Sequence, residues 1–133
     1  MKNIIRFKKF LESKSPKFPD IKSFEQDGYQ IRVGRDAKSN DYLTFILAHE
    51  EDLWLHVKGQ PGSHVVISVV NNLPTPEIIK WAAQLAKKNS KAKNDPVATI
   101  VYCKRKFVKK GSQMNDGQVQ VDYVNAQEMN IEI

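Results

Sequence analysis

The sequence predicts an α+β domain, in which a mostly antiparallel or mixed β-sheet of order ββαββαββ is packed by two helices. Three observations support this class. Residues 53–58 and 119–123 alternate apolar and polar side chains, which is the period of a half-buried strand. Residues 43–47 and 78–86 repeat apolar side chains at helical spacing. Glycine-containing turns separate the members of each strand pair.

The length and composition fit one domain that follows a short basic arm. The 133 residues are 41% hydrophobic and 27% charged, which is enough apolar material for one core. Residues 13–20, SKSPKFPD, contain two prolines and few large apolar side chains, as linkers do. We therefore expect a basic N-terminal arm and linker over residues 1–20 and a single domain over residues 21–133.

The first hairpin and the first helix are predicted from short local signals. Asp27-Gly28 lies between two extended runs and favours the positive φ angles of a two-residue hairpin turn. Ser39 or Asn40 is then a candidate N-cap, and Asp41 falls in the first turn of a helix of about ten residues. Apolar residues follow at helical spacing: Leu43, Ile46 and Leu47.

Residues 52–70 predict a second hairpin. Side chains alternate between two faces, with Leu53, Leu55 and Val57 on one and Trp54, His56 and Lys58 on the other. GQPG at residues 59–62 is typical of a turn, and the β-branched run at residues 63–70 returns antiparallel.

A second helix and a third hairpin complete the prediction. The helix begins near Pro76 and runs to about Lys93, with a buried face formed by Ile78, Ile79, Ala82, Leu85 and Ala86. The opposite face is a cationic stripe: Lys80, Gln84, Lys87, Lys88 and Lys91. Residues 96–104 form a strand that the basic KRKFVKK extends, and residues 117–124 return after the loop GSQMNDG.

Positive charge is concentrated along the chain. The net charge is +6, residues 80–110 contain ten bases and one acid, and residues 111–133 contain four acids and no base. Such a concentration favours a polyanionic partner, nucleic acid before membrane. No apolar run approaches the ~18 residues of a membrane span and no secretory signal is recognisable, so we expect a cytoplasmic protein. The single Cys103 is expected to be a buried strand residue.

The second hairpin brings chemically unusual side chains together. If Gly59, Gln60 and Pro61 form the turn, cross-strand partners sum to 120, so His56 lies opposite His64 and Trp54 lies diagonal to His64. Such a face suits base stacking and phosphate contact. Taken alone, a tryptophan such as Trp54 is more often a core residue than a stacking platform.

Two other interpretations of the histidines are open at this stage. A metal site would need His49 and Asp52 as further ligands, but the spacing matches no standard zinc signature, so we expect no metal and no cofactor. Acid/base catalysis would pair His56 or His64 with Asp52 or Asp41, yet no nucleophile elbow, phosphate loop or HExxH motif supports catalysis. The sequence predicts no catalytic residue.

Read together, VGRDAKSNDYLTF, DLWLHVKGQPGSHVVI, SKAK and FVKK resemble the NFACT-R domain over about residues 24–124. This domain forms the C-terminal part of the NFACT proteins, which include fibronectin-binding-type proteins and ribosome quality-control factors, and it also occurs alone. The resemblance implies a signature surface made of Gly34, Arg35, Asn40, Asp41, Asp52, Trp54, His56, Gly62, Ser63, His64, Ser90, Lys91, Lys109 and Lys110. The loop after Lys110 departs from the family pattern.

The resemblance implies RNA binding, which agrees with the charge distribution. The N-terminal NFACT domain, helix-hairpin-helix and coiled coil of full-length relatives are not recognisable in these residues, so we expect a stand-alone module that recognises structured RNA such as tRNA or rRNA. The predicted RNA-binding residues are Arg35, Lys38, Trp54, His56, Lys58, Ser63, His64, Lys87, Lys88, Lys91, Lys104, Arg105, Lys109 and Lys110. The alternatives are an RNA-modifying or hydrolytic enzyme that uses His56 or His64, and a protein-interaction module on the ribosome.

Overall fold

The computed structural model describes residues 17–132, which form an α+β fold. Its strands are β1 (Ile21–Gln26), β2 (Tyr29–Gly34), β3 (Leu53–Val57), β4 (Val65–Ile67), β5 (Val97–Lys104), β6 (Val108–Lys109), β7 (Gln120–Val121) and β8 (Gln127–Glu132). Its helices are α1 (Ala37–Tyr42), which continues as a π-helical turn over Leu43–Leu47, and α2 (Pro76–Lys88). Short 3₁₀ turns occur at Arg105–Phe107 and Tyr123–Asn125.

The strands form a six-stranded sheet of order β1-β2-β4-β3-β5-β8, and β6 pairs separately with β7. Every strand pairing in residues 17–132 is antiparallel. The predicted α+β class is therefore confirmed. Most of the predicted basic arm, residues 1–16, lies outside the described residues. Across residues 17–132, no helix combines the length and the apolar composition needed to cross a membrane.

The first hairpin forms as predicted, but the first helix begins earlier than predicted. Asp27 and Gly28 have φ angles of 51° and 84°, which a two-residue turn of the predicted type requires. The N-cap of α1 is Asp36, whose carboxylate accepts from the backbone N–H of Ser39 at 2.7 Å. Ser39 and Asn40 are not caps because their side chains are buried and bond to other segments.

The second hairpin has the predicted register. Leu53 pairs with Ile67, Trp54 with Val66, and Leu55 with Val65. The returning strand is shorter than residues 63–70, because the chain just before it bonds to the segment after α2 instead. The N–H of Ser63 donates to the carbonyl of Asn89 at 3.0 Å, and the N–H of Lys91 donates to that of Pro61 at 3.0 Å.

Helix α2 begins where predicted and ends five residues early. Thr75 caps it by accepting from the N–H of Ile78, and Pro76 occupies the first turn. It ends at Lys88 because Ser90 leaves the helical path to bridge Gly62 on the second hairpin. The predicted apolar face packs inward, with Ile78, Ala82 and Ala86 fully buried.

The third predicted hairpin is partly wrong. β5 ends at Lys104 rather than continuing through KRKFVKK, because a 3₁₀ turn redirects the chain. Only two residue pairs, Val108 with Val121 and Lys109 with Gln120, join the segments on either side of the loop. In the sheet β5 instead pairs with β3 on one side and, on the other, with β8, a strand that was not predicted. Its sequence, QEMNIE, offers few apolar residues because β8 is an edge strand.

The sheet has a core on each face. α2 covers one face, where Ile31, Leu55, Val65 and Ile100 are buried. The π-helical turn and residues 105–126 cover the other face, where Leu43, Trp54, Val66, Val101, Cys103 and Val108 pack together. Alternation along β3 assigns Leu55 to the first face and Trp54 to the second. The side chains of the second hairpin that the sequence singled out therefore lie under the second layer.

Candidate nucleic-acid interface

Trp54, His56 and His64 meet on the second face of the sheet. The ring centroids of His56 and His64 are 5.4 Å apart, and those of Trp54 and His64 are 5.3 Å apart. Trp54 and His56 stack with an interplanar angle of 15° at 5.8 Å. The predicted contact between the two histidines is confirmed, because the observed register, with Trp54 opposite Val66 and Leu55 opposite Val65, brings them together.

His64 is a buried, neutral residue. Its side chain has no exposed surface, its Nε2 lies 3.1 Å from the carbonyl oxygen of Gly117, and its Nδ1 lies 2.7 Å from Thr44 Oγ1. A carbonyl only accepts, so Nε2 carries the proton and Nδ1 accepts from the threonine hydroxyl. Burial lowers the pKa of His64 to about 3. His64 was predicted to bind RNA, but from this buried position it cannot present an imidazolium to a phosphate.

Trp54 belongs to the core. It is 1% exposed and packs with Leu43, Val66 and Val101, so neither face of its indole is open to a base. The interpretation as a stacking platform is therefore wrong for Trp54. Its Nε1 is buried and has no hydrogen-bond partner within residues 17–132. His56 is the member of this cluster that remains partly exposed, and burial lowers its pKa.

Asn40 clamps the backbone of His64. Its Oδ1 accepts from the N–H of His64 at 3.0 Å, and its Nδ2 donates to the carbonyl of Gly62 at 3.4 Å. Gly34 leaves room for this clamp, since a Cβ at that position would lie 2.1 Å from Asn40 Oδ1. Gly34 and Asn40, which belong to the segment GRDAKSND at residues 34–41, therefore hold His64 in place.

The second hairpin is also joined to the end of α2. Gly62 bridges Ser90, and a Cβ on Gly62 would lie 2.7 Å from Ser90 Cβ. Ser90 Oγ donates to the carbonyl of Lys87 and accepts from the N–H of Ala92. This close approach holds PGS at residues 61–63 against SKAK at residues 90–93. Two motifs that are far apart in sequence therefore form one surface.

A cleft of about 1090 Å³ opens over these motifs. Its floor includes Trp54, His56 and His64, and its rim includes the turn at residues 58–63. The end of α2 and the following loop supply one side, and residues 114–119 supply another. Eight of the predicted site residues line it: Arg35, Trp54, His56, Lys58, Ser63, His64, Lys88 and Lys91.

The cationic residues at the cleft differ in how far they are already neutralised. Lys88, Lys91 and Lys93 are exposed and line the cleft, and within residues 17–132 they make no ion pair of 4.0 Å or less. Lys58 bridges Glu128 at 2.6 Å, and Arg35 lies 3.8 Å from Asp20. The unneutralised charge of the cleft is therefore concentrated at the last residue of α2 and in the loop that follows it.

The other predicted cations lie away from the cleft. Lys87 is 5% exposed and donates to the carbonyl of Lys93 at 3.0 Å, so its predicted place on the solvent face is wrong. Arg105 Nε donates to the carbonyl of Thr44 at 2.7 Å, and its guanidinium lies over Phe45. Lys104 bridges Glu51 at 2.8 Å. Lys38 and Lys109 are exposed outside the cleft.

Lys110 holds the loop that follows it. Its Nζ bonds to Asp41, to the carbonyl of Gln118 at 2.7 Å, and to the carbonyl of Asn115. Together with the bond from His64 to Gly117, these contacts draw residues 111–118 over the second face of the sheet. Lys110 and Asp41 therefore shape the cleft without lining it.

The residues required by the catalytic and metal interpretations do not converge. The carboxylate of Asp52 is buried and accepts from the N–H groups of His49 and Val69, both at 2.9 Å. Asp41 pairs with Lys110 rather than with a histidine. Within residues 17–132 no group of three His, Cys, Asp or Glu side chains is placed to hold a metal ion.

Sequence analysis missed part of the cleft. Asn89, Lys93, Met114, Asp116 and Gln118 line it, and none was predicted as a site residue. Lys93 could have been found from the basic cluster in SKAK. The loop residues gave no such signal, because their place depends on long-range bonds to His64 and Lys110.

Comparisons with known proteins agree with this geometry. A model of the family described as "NFACT protein RNA binding domain" matches residues 17–123. The Rqc2 homolog RqcH of Bacillus subtilis is 37% identical over 112 residues, covering 84% of this chain and 19% of that protein. RqcH of Streptococcus suis is 44% identical over 71 residues, covering 53% of this chain and 12% of that protein. The chain thus spans at most about a fifth of these curated relatives.

A solved structure shows the same fold. The C-terminal part of the fibronectin/fibrinogen-binding protein from Streptococcus suis superposes with a TM-score of 0.77 at 27% identity, covering 95% of this chain and 54% of that one. The match thus extends beyond the residues that the family model covers. Together with the motifs around the cleft, these comparisons show that the chain belongs to the NFACT-R family of RNA-binding domains.

Proposed function

We propose that this protein is an RNA-binding module that recognises structured RNA, tRNA or rRNA, in translation or ribosome-associated quality control. The observation that carries the proposal is the cleft whose rim holds Lys88, Lys91 and Lys93 beside the family's motifs. Membership of a family described by RNA binding supports the same conclusion. The link to quality control rests on the similarity to RqcH proteins.

In this proposal the lysines supply most of the affinity. Exposed ammonium groups attract phosphates without regard to sequence and release counterions when RNA binds. Arg35 also lines the cleft and offers a planar donor group for a phosphate or a base edge. His56 is the aromatic ring that the floor leaves partly exposed for a base.

The acid/base alternative has less support than binding. His64 has both ring nitrogens occupied and is neutral near pH 7, so it has no free site with which to accept or donate a proton in a reaction. His56 has no carboxylate hydrogen-bonded to it within residues 17–132. The cleft contains basic groups and ring surfaces, which suit binding.

The test is RNA affinity after charge reversal at the cleft. The double variant Lys88→Glu and Lys91→Glu should weaken binding of a tRNA-sized RNA by at least about tenfold. A matched control is Lys22→Glu with Lys80→Glu, which changes the net charge equally at exposed positions outside the cleft. Equal losses in both double variants, with unchanged melting temperatures, would show that the cleft is not the RNA site.

A further inference from the structure

The cleft has two chemically different sides. Lys88 is the last residue of α2, which packs on the first face of the sheet, and Lys91 and Lys93 follow it. Residues 114–119 lie over the second face, where Gly117 accepts from His64. The first side offers ammonium donors, and the second offers the carboxylate of Asp116 among neutral residues. A ligand that suits both sides must therefore present an anion at one end and hydrogen-bond donors at the other.

Asp116 is held in place without being neutralised. The carbonyl of the preceding residue, Asn115, accepts from Lys110, and the carbonyl of the following residue, Gly117, accepts from His64. The backbone on both sides of Asp116 is thus fixed. Within residues 17–132 its own carboxylate makes no hydrogen bond or ion pair to another side chain. A fixed carboxylate repels phosphate, but it accepts from the N–H groups of a nucleobase edge.

The floor between the two sides provides an oriented ring. His56 is partly exposed there, and it stacks nearly parallel on the buried Trp54. Because Trp54 is fixed in the core, the plane of the His56 ring is fixed as well. A base that enters the cleft meets an aromatic surface whose orientation is already set.

The size of the cleft argues against a double helix. Its volume of about 1090 Å³ is just above the ~300–1,000 Å³ that is typical of small-molecule sites. Paired bases in an RNA helix keep their edges within the grooves, whereas unpaired bases can be splayed out and read. The occupant that fits is therefore one or two unpaired nucleotides.

We propose that this cleft takes an unpaired nucleotide of the RNA, with its phosphate toward Lys88, Lys91 and Lys93 and its base edge toward Asp116. This inference rests on the proposed RNA-binding function and specifies its ligand. The base lies on His56, and donors such as the cytosine N4 amine or the guanine N1–H and N2 amine reach Asp116. RNA recognition then depends on loops and ends rather than on stems.

The experiment compares a hairpin RNA with an unpaired loop against a blunt, fully paired RNA of the same charge. Wild type should bind the hairpin at least about tenfold more tightly. His56→Ala should reduce hairpin affinity by about tenfold and leave duplex affinity unchanged, whereas His56→Phe should keep the preference because it keeps a ring. Melting temperatures of both variants separate this loss from unfolding.

Asp116 is tested with hairpins whose loops contain only cytidine or only uridine. Wild type should prefer cytidine, whose N4 amine can donate, over uridine, whose N3–H donor lies between two carbonyl oxygens that repel a carboxylate. Asp116→Ala should remove that preference. The matched control is Asp27→Asn, an exposed carboxylate at the turn of the first hairpin, outside the cleft. It should behave as wild type.

The outcomes separate this inference from the proposed function. Equal binding of hairpin and duplex, both weakened by charge reversal at Lys88 and Lys91, would overturn the nucleotide site while leaving RNA binding intact. A cytidine preference that survives Asp116→Ala would overturn the assignment of the base edge to this residue. No measurable binding of either RNA would overturn both proposals.

Discussion

Trp54, the tryptophan of the DLWLH segment at residues 52–56, is a core residue whose structural role can be tested by substitution. Its side chain is 1% exposed and packs among Leu43, Val66 and Val101. Trp54→Ala should therefore lower the free energy of unfolding by ~3–5 kcal/mol, as measured by urea denaturation. RNA affinity per folded molecule should change little, apart from a small effect through the orientation of His56. Unchanged stability with a large loss of affinity would return Trp54 to the binding surface.

His64 should make the stability of the fold depend on pH. Its folded pKa of about 3 lies well below the unfolded value of ~6.5, so the unfolded chain binds a proton that the folded chain refuses. The contribution of neutral His64 to the free energy of unfolding is complete above about pH 6.5. As the pH falls from there toward 3, the free energy of unfolding decreases by about 1.4 kcal/mol per pH unit. Urea denaturation of wild type and His64→Gln between pH 7 and pH 4.5 measures it.

Wild type and His64→Gln should differ in how steeply their stability depends on pH, as well as in their stability at neutral pH. His64→Gln should be less stable near neutral pH, since a buried bond is disturbed, but its stability should fall less steeply on acidification. Identical pH slopes would mean that His64 titrates normally in the folded state. RNA affinity of the wild type between pH 7 and 8 should not follow a histidine titration, because His64 is neutral throughout this range.

At the scale of elements, Gly34 links the end of β2 to α1. A Cβ there would lie 2.1 Å from Asn40 Oδ1. This oxygen accepts from the N–H of His64, so moving it away from the Cβ would disturb that hydrogen bond. Gly34→Ala should therefore cost ~1–3 kcal/mol of unfolding free energy. The control is Gly111→Ala, where the nearest atoms lie at an ordinary 3.5 Å, and we expect a change within ~0.5 kcal/mol. Equal costs would argue against the clamp.

Neighbouring lysines at the end of α2 should behave in opposite ways. Lys87 is buried and donates to the carbonyl of Lys93, so Lys87→Glu places a carboxylate against that carbonyl and should cost ~3 kcal/mol or more. Lys88 is exposed, so Lys88→Glu should leave thermal stability almost unchanged and weaken RNA binding. Thermal melts and binding titrations of the two variants would show whether Lys87 stabilises the fold while Lys88 serves RNA binding.

Local patterns predicted the elements whose signals are themselves local. The Asp27-Gly28 turn, the start of α2 and the register of the second hairpin were all correct, because turn chemistry and side-chain period fix them over a few residues. The strand β8 was missed because its pairing with β5 is long-range and it carries few apolar side chains. The π-helical turn gave no sequence signal at all.

In the candidate site, too, local patterns predicted some features, whereas others depend on long-range contacts. The contact between His56 and His64 followed from hairpin register, but the burial of His64 depends on Gly117, which lies 53 residues away. The cationic stripe on α2 was correct for Lys88 and wrong for Lys87, because α2 ends early and the chain folds back over the Lys87 side chain. Periodicity alone could not locate that reversal.

Over the full chain, the number of basic residues overstates the charge available to RNA. The chain contains 21 lysines and arginines, but Lys58, Lys104, Lys106 and Lys110 are already paired with carboxylates. Those pairs are exposed and weak, yet they lower the local positive potential. The unpaired lysines at the cleft should therefore account for a large share of the salt dependence of RNA binding.

This expectation can be measured as a slope. Each lysine that contacts a phosphate contributes about 0.7 to the slope of log affinity against log salt for single-stranded RNA. Lys88→Gln with Lys91→Gln should therefore reduce the slope by about 1.4, measured by fluorescence anisotropy with a hairpin RNA. Lys22→Gln with Lys80→Gln removes equal charge outside the cleft and should leave the slope nearly unchanged. Equal reductions would mean that RNA responds to the total charge, with no localised phosphate contacts at the cleft.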